Sequence, residues 1–153
     1  MTPSRILEAL AAEIRAGWAG AHRCRVSVAP DPARAMELLS AGAPEGSALA
    51  LWFEGDSAAD DRGLCSDEQL EGRFSLALCR HPGLSPRDSQ GAPGALREAE
   101  SLRRFLLREA SGDGLLDGWR YSGAQAFQLA QGDAPLGGYT ITLLGCYDAG
   151  GED

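Results

Sequence analysis

Residues 119–147 read WRYSGAQAFQLAQGDAPLGGYTITLLGCY, and this stretch decides the fold. Apolar and polar residues alternate along Trp119–Ala130 and again along Gly138–Tyr147, which is the period of a strand with one face on a core. Between them, Gln131–Gly137 contains proline and glycine, the residues that break strands and form turns. The end of the chain therefore predicts a C-terminal β-hairpin.

An amphipathic helix is expected before this hairpin, from about Ala95 to Ala110. Its apolar residues recur every three to four positions, as one buried face of a helix requires, and its arginines lie mainly on the other side. Arg103 falls near the apolar edge, where its stem can pack while its head reaches water. A second helix of the same kind is expected over Ile6–Trp18. Both helices need an apolar surface to cover.

Three further strands supply that surface. Their alternation is clearest in Ser47–Glu54 and Glu71–Arg80, and a shorter strand is expected over Arg23–Val28. In Ser47–Glu54 both alternating sets are apolar, so both faces of this strand are expected to be covered. Asp31-Pro32 predicts the start of a short helix, Ala33–Ser40. The acidic, turn-rich segment Gly55–Gly63 is expected to be a loop.

These elements predict an α+β fold: a mostly antiparallel β-sheet with two main α-helices packed on one face and a C-terminal β-hairpin. At 153 residues and 44% apolar content, the chain has the size of one domain. We expect one domain over residues 1–148 and an acidic, flexible tail over residues 149–153.

Charge and composition limit the classes of function that this protein can have. The net charge is −8, and all fourteen basic residues are arginine. An acidic chain without a cluster of basic residues disfavours nucleic-acid binding, although a patch assembled by the fold or by an oligomer stays possible. We expect a cytosolic protein, because the sequence shows no signal peptide and no long apolar run. Its four scattered cysteines are expected to be reduced thiols.

One group of residues has the chemistry of a metal site. His22-x-Cys24 and Cys79-x-His81 each place two ligands on one side of a predicted strand, and adjacent strands would bring the four together. Structural zinc sites usually have wider spacings, and buried cysteine is commonly a small apolar residue. The sequence also lacks a nucleophile elbow and a phosphate-binding loop. We therefore expect no catalytic residue, metal or cofactor.

The order of elements resembles that of the tail terminator and tail-completion proteins of long-tailed bacteriophages, the group of the phage lambda terminator. The resemblance covers nearly the whole chain. It rests on the helix Ile6–Trp18, the strand and acidic loop Leu49–Asp61, the strand Arg73–Arg80, the helix Leu96–Glu109 and the final strand Gly-Tyr-Thr-Ile-Thr-Leu-Leu.

The resemblance implies a non-enzymatic virion protein that forms a ring, usually a hexamer, on the head-proximal end of the tail tube. Its implied partners are copies of itself, the tail-tube protein and the head-tail connector protein, with no membrane and no sequence-specific nucleic acid, while the ring leaves a passage for DNA. Its implied location is the virion neck, and the host cytoplasm during assembly. The loops Asp56–Arg62 and Pro82–Pro93 are expected to make the contacts, because interaction surfaces usually lie on loops. The expected contact residues are Asp56, Asp60, Asp61, Arg62, Leu84, Arg87 and Asp88.

Three alternatives stay open at this point. The two loops can be solvated connectors without a function. The protein can be a small α+β enzyme or metal-binding protein with its site at His22, Cys24, Cys79 and His81. It can also be an adaptor that binds another protein along a sheet edge.

Overall fold

A computed structural model describes residues 3–42, 47–58, 69–80, 92–108, 119–129 and 136–148 of the chain. The helices are α1 (Pro3–Gly17), α2 (Pro32–Gly42) and α3 (Ala92–Arg108), with a short 3-10 helix at Ala19–Arg23. The strands are β1 (Cys24–Val28), β2 (Ser47–Ala58), β3 (Gln69–Arg80), β4 (Trp119–Leu129) and β5 (Leu136–Asp148). Each predicted helix and strand is present.

The five strands form one sheet in the order β1-β2-β3-β5-β4. β1 and β2 are parallel, and α2 lies between them in the chain, whereas the other three pairs are antiparallel. The fold is therefore α+β with a mixed, mostly antiparallel sheet. β1 and β4 are its two edge strands.

The two main helices, α1 and α3, pack on the same face of the sheet, as predicted. Alternate residues of the central strands point into this core, because side chains of a strand alternate between its faces. The core contains Ile6, Leu10 and Ile14 of α1, Leu102 and Leu106 of α3, and Leu49, Leu51, Phe74, Leu76, Leu78, Ile141 and Leu143 of the strands. Trp18 joins α1 to α3 by donating its indole N–H to Ser101 Oγ at 3.1 Å.

The third helix, α2, covers the opposite face of the sheet. Leu39 and Ala35 pack there against small side chains of β2 and β3, with Trp52 at the margin of the same cluster. Alanines at this surface let the helix lie close to the strands. The prediction that both faces of β2 are covered is thus confirmed. The three helices therefore cover both faces of the sheet, because the short helix α2 packs on the small apolar side chains of β2.

β2 is longer than predicted and continues to Ala58. The predicted loop from Gly55 is wrong in its first part, because the pairing with β3 shifts register between Phe53 and Gly55 and then resumes. Gly55 has φ +128°, a conformation that suits glycine, and this bulge turns the strand without ending it.

β4 and β5 pair along their length, from Trp119 opposite Gly145 to Leu129 opposite Leu136. This pairing has a register shift between Tyr121 and Gly123. Residues 130–135, which the sequence assigns to the hairpin turn, lie outside the described residues, as does the acidic tail 149–153.

Candidate interaction surface

The outer edge of β4 is long and without charge over most of its length. From Gly123 to Leu129 the strand reads GAQAFQL, with no proline and no ionisable residue. Ala124, Gln125 and Ala126 are exposed. Natural proteins usually protect such an edge with charge, proline or a covering segment, since its free backbone groups invite another strand. A bulge at residues 121–123 interrupts the pairing with β5, and none of the strands that the structure describes pairs with the outer edge of β4.

The other edge strand, β1, is protected. The Ala29 N–H donates to the Leu51 carbonyl, so the backbone groups of alternate residues such as Val26 point away from β2. Arg15 of α1 donates to the Val26 carbonyl at 2.6 Å and thereby occupies that outward acceptor. β1 has only five residues, and its Arg25 is exposed. The two edges therefore differ in their capacity to accept a partner strand.

A shallow groove lies beside β4, on the face of the sheet that α2 covers elsewhere. Helix α2 packs on β1, β2 and β3, and Phe127 of β4 packs against the same cluster, while no other helix that the structure describes covers this face. The groove has a volume of about 340 Å³ and is lined by small or polar residues: Ser122, Gly123, Ala124, Gln125, Thr140 and Thr142. Hydroxyl and amide groups that face solvent on a sheet can bind a polar segment of another chain.

Two contacts hold the beginning of β4 in place. Arg120 and Glu71 form an ion pair at 3.2 Å between β4 and β3, and its exposure means that it adds little stability. On the other face, the guanidinium of Arg103 lies 5.3 Å from the centre of the Tyr121 ring. Arg103 thus packs at the edge of α3 as its position in the sequence predicted. Both contacts connect the beginning of β4 to the rest of the domain.

Among the residues expected to make partner contacts, Asp56 belongs to the described part of the chain. It is exposed, and its carboxylate accepts a hydrogen bond from the Tyr147 hydroxyl. Burial, together with this hydrogen bond, raises the pKa of the Tyr147 hydroxyl. Asp56 therefore has a structural partner within the chain. The other expected contact residues lie outside the described residues: Asp60, Asp61, Arg62, Leu84, Arg87 and Asp88.

The structure separates two residues of the hypothetical metal site at His22, Cys24, Cys79 and His81. Cys24 contacts the core under α1 and α3, whereas Cys79 is buried in the cluster under α2, on the opposite face. β2 also lies between their strands. The two pairs have the same spacing in the sequence, but the fold keeps Cys24 and Cys79 apart. His22 Nδ1 lies 2.7 Å from the Ala19 carbonyl, and His81 lies outside the described residues. Among the residues that the structure describes, no group of metal ligands is found.

The cysteines follow the expectation only in part. Cys24 and Cys79 are free thiols, as predicted, but Cys146 is disulfide-bonded. Spacing in the sequence cannot show such a bond, because it depends on the approach of distant segments. Cys65 lies outside the described residues. Burial raises the pKa of the Cys24 thiol to about 12, with a further contribution from the Glu98 carboxylate. Burial alone raises the pKa of the Cys79 thiol to about 11.

We predict that both free thiols react slowly in the folded protein. The thiolate is the reactive form, and a raised pKa leaves very little of it at pH 8. Iodoacetamide labelling followed by mass spectrometry should be at least about a hundredfold slower in the native chain than in urea. Fast labelling of Cys24 in the folded protein would contradict the environment described above and would indicate a reactive thiol.

The interaction surface on β4 was not predicted as a contact region. The signal was available in the neutral stretch 123–129, which lacks the charges and prolines that protect edges. The sequence could not show that this strand is an edge, because β4 and β5 could equally have been ordered with β4 inside.

A scan against protein-family models and a search of curated proteins found no match. Within the described residues, no helix has the length and apolar character needed to span a membrane.

Proposed function

We propose that this protein is a structural virion component that resembles a phage tail terminator. In this proposal, copies of the chain associate into a ring, in the manner of a hexamer, on the head-proximal end of the tail tube. The ring stops polymerisation of the tube and offers a surface to the head-tail connector. It functions without a cofactor, and it acts in the host cytoplasm during assembly and in the neck of the finished virion.

The observation that supports the proposal best is the uncharged outer edge of β4. A neutral, exposed strand with a free backbone is a hazard in a protein that works alone, because it promotes unwanted pairing. In a protein whose task is to assemble, the same edge can bind a neighbouring chain. The polar groove beside it widens the surface available to that neighbour.

The arrangement of the sheet supports the same proposal. Two helices pack on one face of the sheet and one helix packs on the other, and β4 is an edge strand of this sheet. We also propose that residues 130–135 form the turn of a C-terminal hairpin that joins β4 to β5. Residues 56–62, which begin at the end of β2, and residues 82–93 remain proposed contacts with neighbouring subunits or the tube, since segments that follow the strands of a sheet commonly hold interaction residues.

The proposal is tested by oligomeric mass and by tube length. Light scattering should give a species several times the 16.1 kDa mass of the chain. If genes for a tail-tube protein and a portal lie beside this gene, that tube protein should be polymerised with and without this chain. Electron microscopy should then show short, capped tubes in its presence. A monomer at high concentration, or tubes of unchanged length, would contradict the proposal.

A charge placed on the β4 edge should weaken assembly. Ala126 is exposed, and Ala126→Lys would put an ammonium group where a partner strand would lie. We expect the dissociation constant of the oligomer to rise about tenfold or more, since burying an unpaired charge costs several kcal/mol. Sedimentation analysis measures this effect.

Ala16→Lys is the matched control for this variant, because Ala16 is exposed on α1, away from β4. Equal assembly of the two lysine variants would show that the β4 edge is not an assembly contact.

A further inference from the structure

The outer side of α3 carries the two large apolar residues that are exposed within the described part of the chain. These are Leu96 and Leu107, with 39% and 45% of their surfaces accessible. Positions 96, 100, 103 and 107 follow one another at helical spacing, so the two leucines lie along one row of the helix. The inner side of α3 is already occupied by its buried residues Ala99, Leu102 and Leu106. The two leucines therefore lie on the flank of α3, along the row in which Arg103 contacts Tyr121 of β4.

A row of arginines runs beside the leucines. Arg97, Arg104 and Arg108 are exposed, and they form no ion pair with any residue that the structure describes. Helix α3 contains four arginines and two glutamates, so it is net positive in a chain whose net charge is −8. The remaining surface is correspondingly more acidic. The same molecule thus presents a basic face with apolar residues and an acidic surface elsewhere.

We propose that the outer face of α3 binds an acidic face of a second copy of this chain. This inference rests on the proposed function, because it assigns one of the contacts of the ring. The two leucines supply apolar area, and the arginines select a negatively charged partner surface. Unpaired arginines are well suited to bind carboxylates, since each guanidinium can donate two parallel hydrogen bonds.

The charges also determine the kind of contact. Two α3 helices that meet face to face bring the arginines of one copy near those of the other, which is unfavourable. The helix therefore contacts a different part of the next copy, and the proposed ring repeats this contact head to tail. Contacts of this type continue from copy to copy and close into a ring when the rotation permits. The same two surfaces can also meet twice about a two-fold axis, so an oligomer larger than a dimer is needed to support the ring.

Charge reversal at two arginines tests the inference. Arg104→Glu/Arg108→Glu changes two exposed positions, so circular dichroism should show a folded protein. We expect its assembly to be weakened about a hundredfold relative to the unaltered chain, because acidic groups would then face acidic groups. Analytical ultracentrifugation at several salt concentrations measures this effect. The unaltered oligomer should also dissociate more as salt rises, since exposed charges are screened.

Arg23→Glu/Arg25→Glu is the control. Both arginines are exposed near β1, and this pair changes the net charge by the same amount. If the control assembles and the α3 variant is monomeric, the inference is supported. If both variants assemble like the unaltered chain, the inference is overturned while the proposed ring stands. If both variants dissociate equally, general repulsion explains the effect and the inference is overturned.

Two further outcomes complete the test. An unaltered chain that is monomeric overturns both this inference and the proposed function, and one that stops at a dimer overturns the head-to-tail contact. Nucleic acid is the other class of acidic partner. If a labelled DNA duplex binds the unaltered chain and not the α3 variant, while the oligomeric mass is the same for both, the arginines bind phosphate and the inference is overturned.

Discussion

Gly138→Ala is expected to destabilise the protein by about 3 kcal/mol or more. A Cβ atom at Gly138 would lie 2.2 Å from the Leu78 backbone carbonyl and 2.7 Å from the ring of Phe127. The ring can rotate away, but the carbonyl belongs to β3, which pairs with β5 on this side. The two central strands would have to separate locally to relieve the clash. Urea unfolding should show a lower midpoint, and in the extreme case the variant is insoluble.

The neighbouring glycine gives a matched control. A Cβ atom at Gly137 would have no atom within 4 Å, and its backbone lies outside the left-handed region. Gly137→Ala should leave the free energy of unfolding unchanged or raise it by up to about 1 kcal/mol, because alanine restricts the unfolded chain. Equal destabilisation by the two substitutions would show that the close approach of β5 to β3 at Gly138 is not the cause.

Phe74→Ala is expected to lower the free energy of unfolding by about 3–5 kcal/mol. Phe74 is fully buried in the core between the sheet and the helices α1 and α3. Its ring lies 5.3 Å from that of Phe53 and 6.5 Å from that of Tyr147, centre to centre. Truncation removes these aromatic contacts and leaves a cavity that packed neighbours cannot fill. The melting temperature should fall by about 10 °C or more for a chain of this size.

Phe74→Leu separates the loss of volume from the loss of the aromatic ring. Leucine keeps most of the apolar contact, so the cost should be less than half that of the alanine variant. Thermal unfolding of both variants at equal protein concentration measures this difference, because oligomers have melting temperatures that depend on concentration. An alanine variant as stable as the unaltered chain would place Phe74 outside the core.

Most of the secondary structure could be predicted from local patterns. The amphipathic stripes of α1 and α3 and the alternation in β3 and β5 each follow from a periodicity that is visible in a short window of sequence. The end of β2 could not be predicted this way. Gly55 is typical of a turn, and only the pairing with β3 shows that the strand continues beyond it.

The candidate site was less predictable than the fold. The pairs His22-x-Cys24 and Cys79-x-His81 suggested one metal site, because their spacing is the same. The sheet places Cys24 and Cys79 on opposite faces. Spacing along a strand does not determine which face of the sheet a given side chain occupies. Asp56 was expected to contact a partner, and the structure adds a hydrogen bond with Tyr147, a residue distant in sequence.

The sequence by itself determined the elements, their amphipathic faces and the absence of charge in residues 123–129. These properties depend on neighbouring residues, and the chain displays them directly. Only the tertiary structure decided that β4 is an edge, that Arg15 protects the opposite edge, and that three arginines of α3 are exposed together with two leucines. Strand order and exposure depend on contacts between distant segments, which no local pattern specifies.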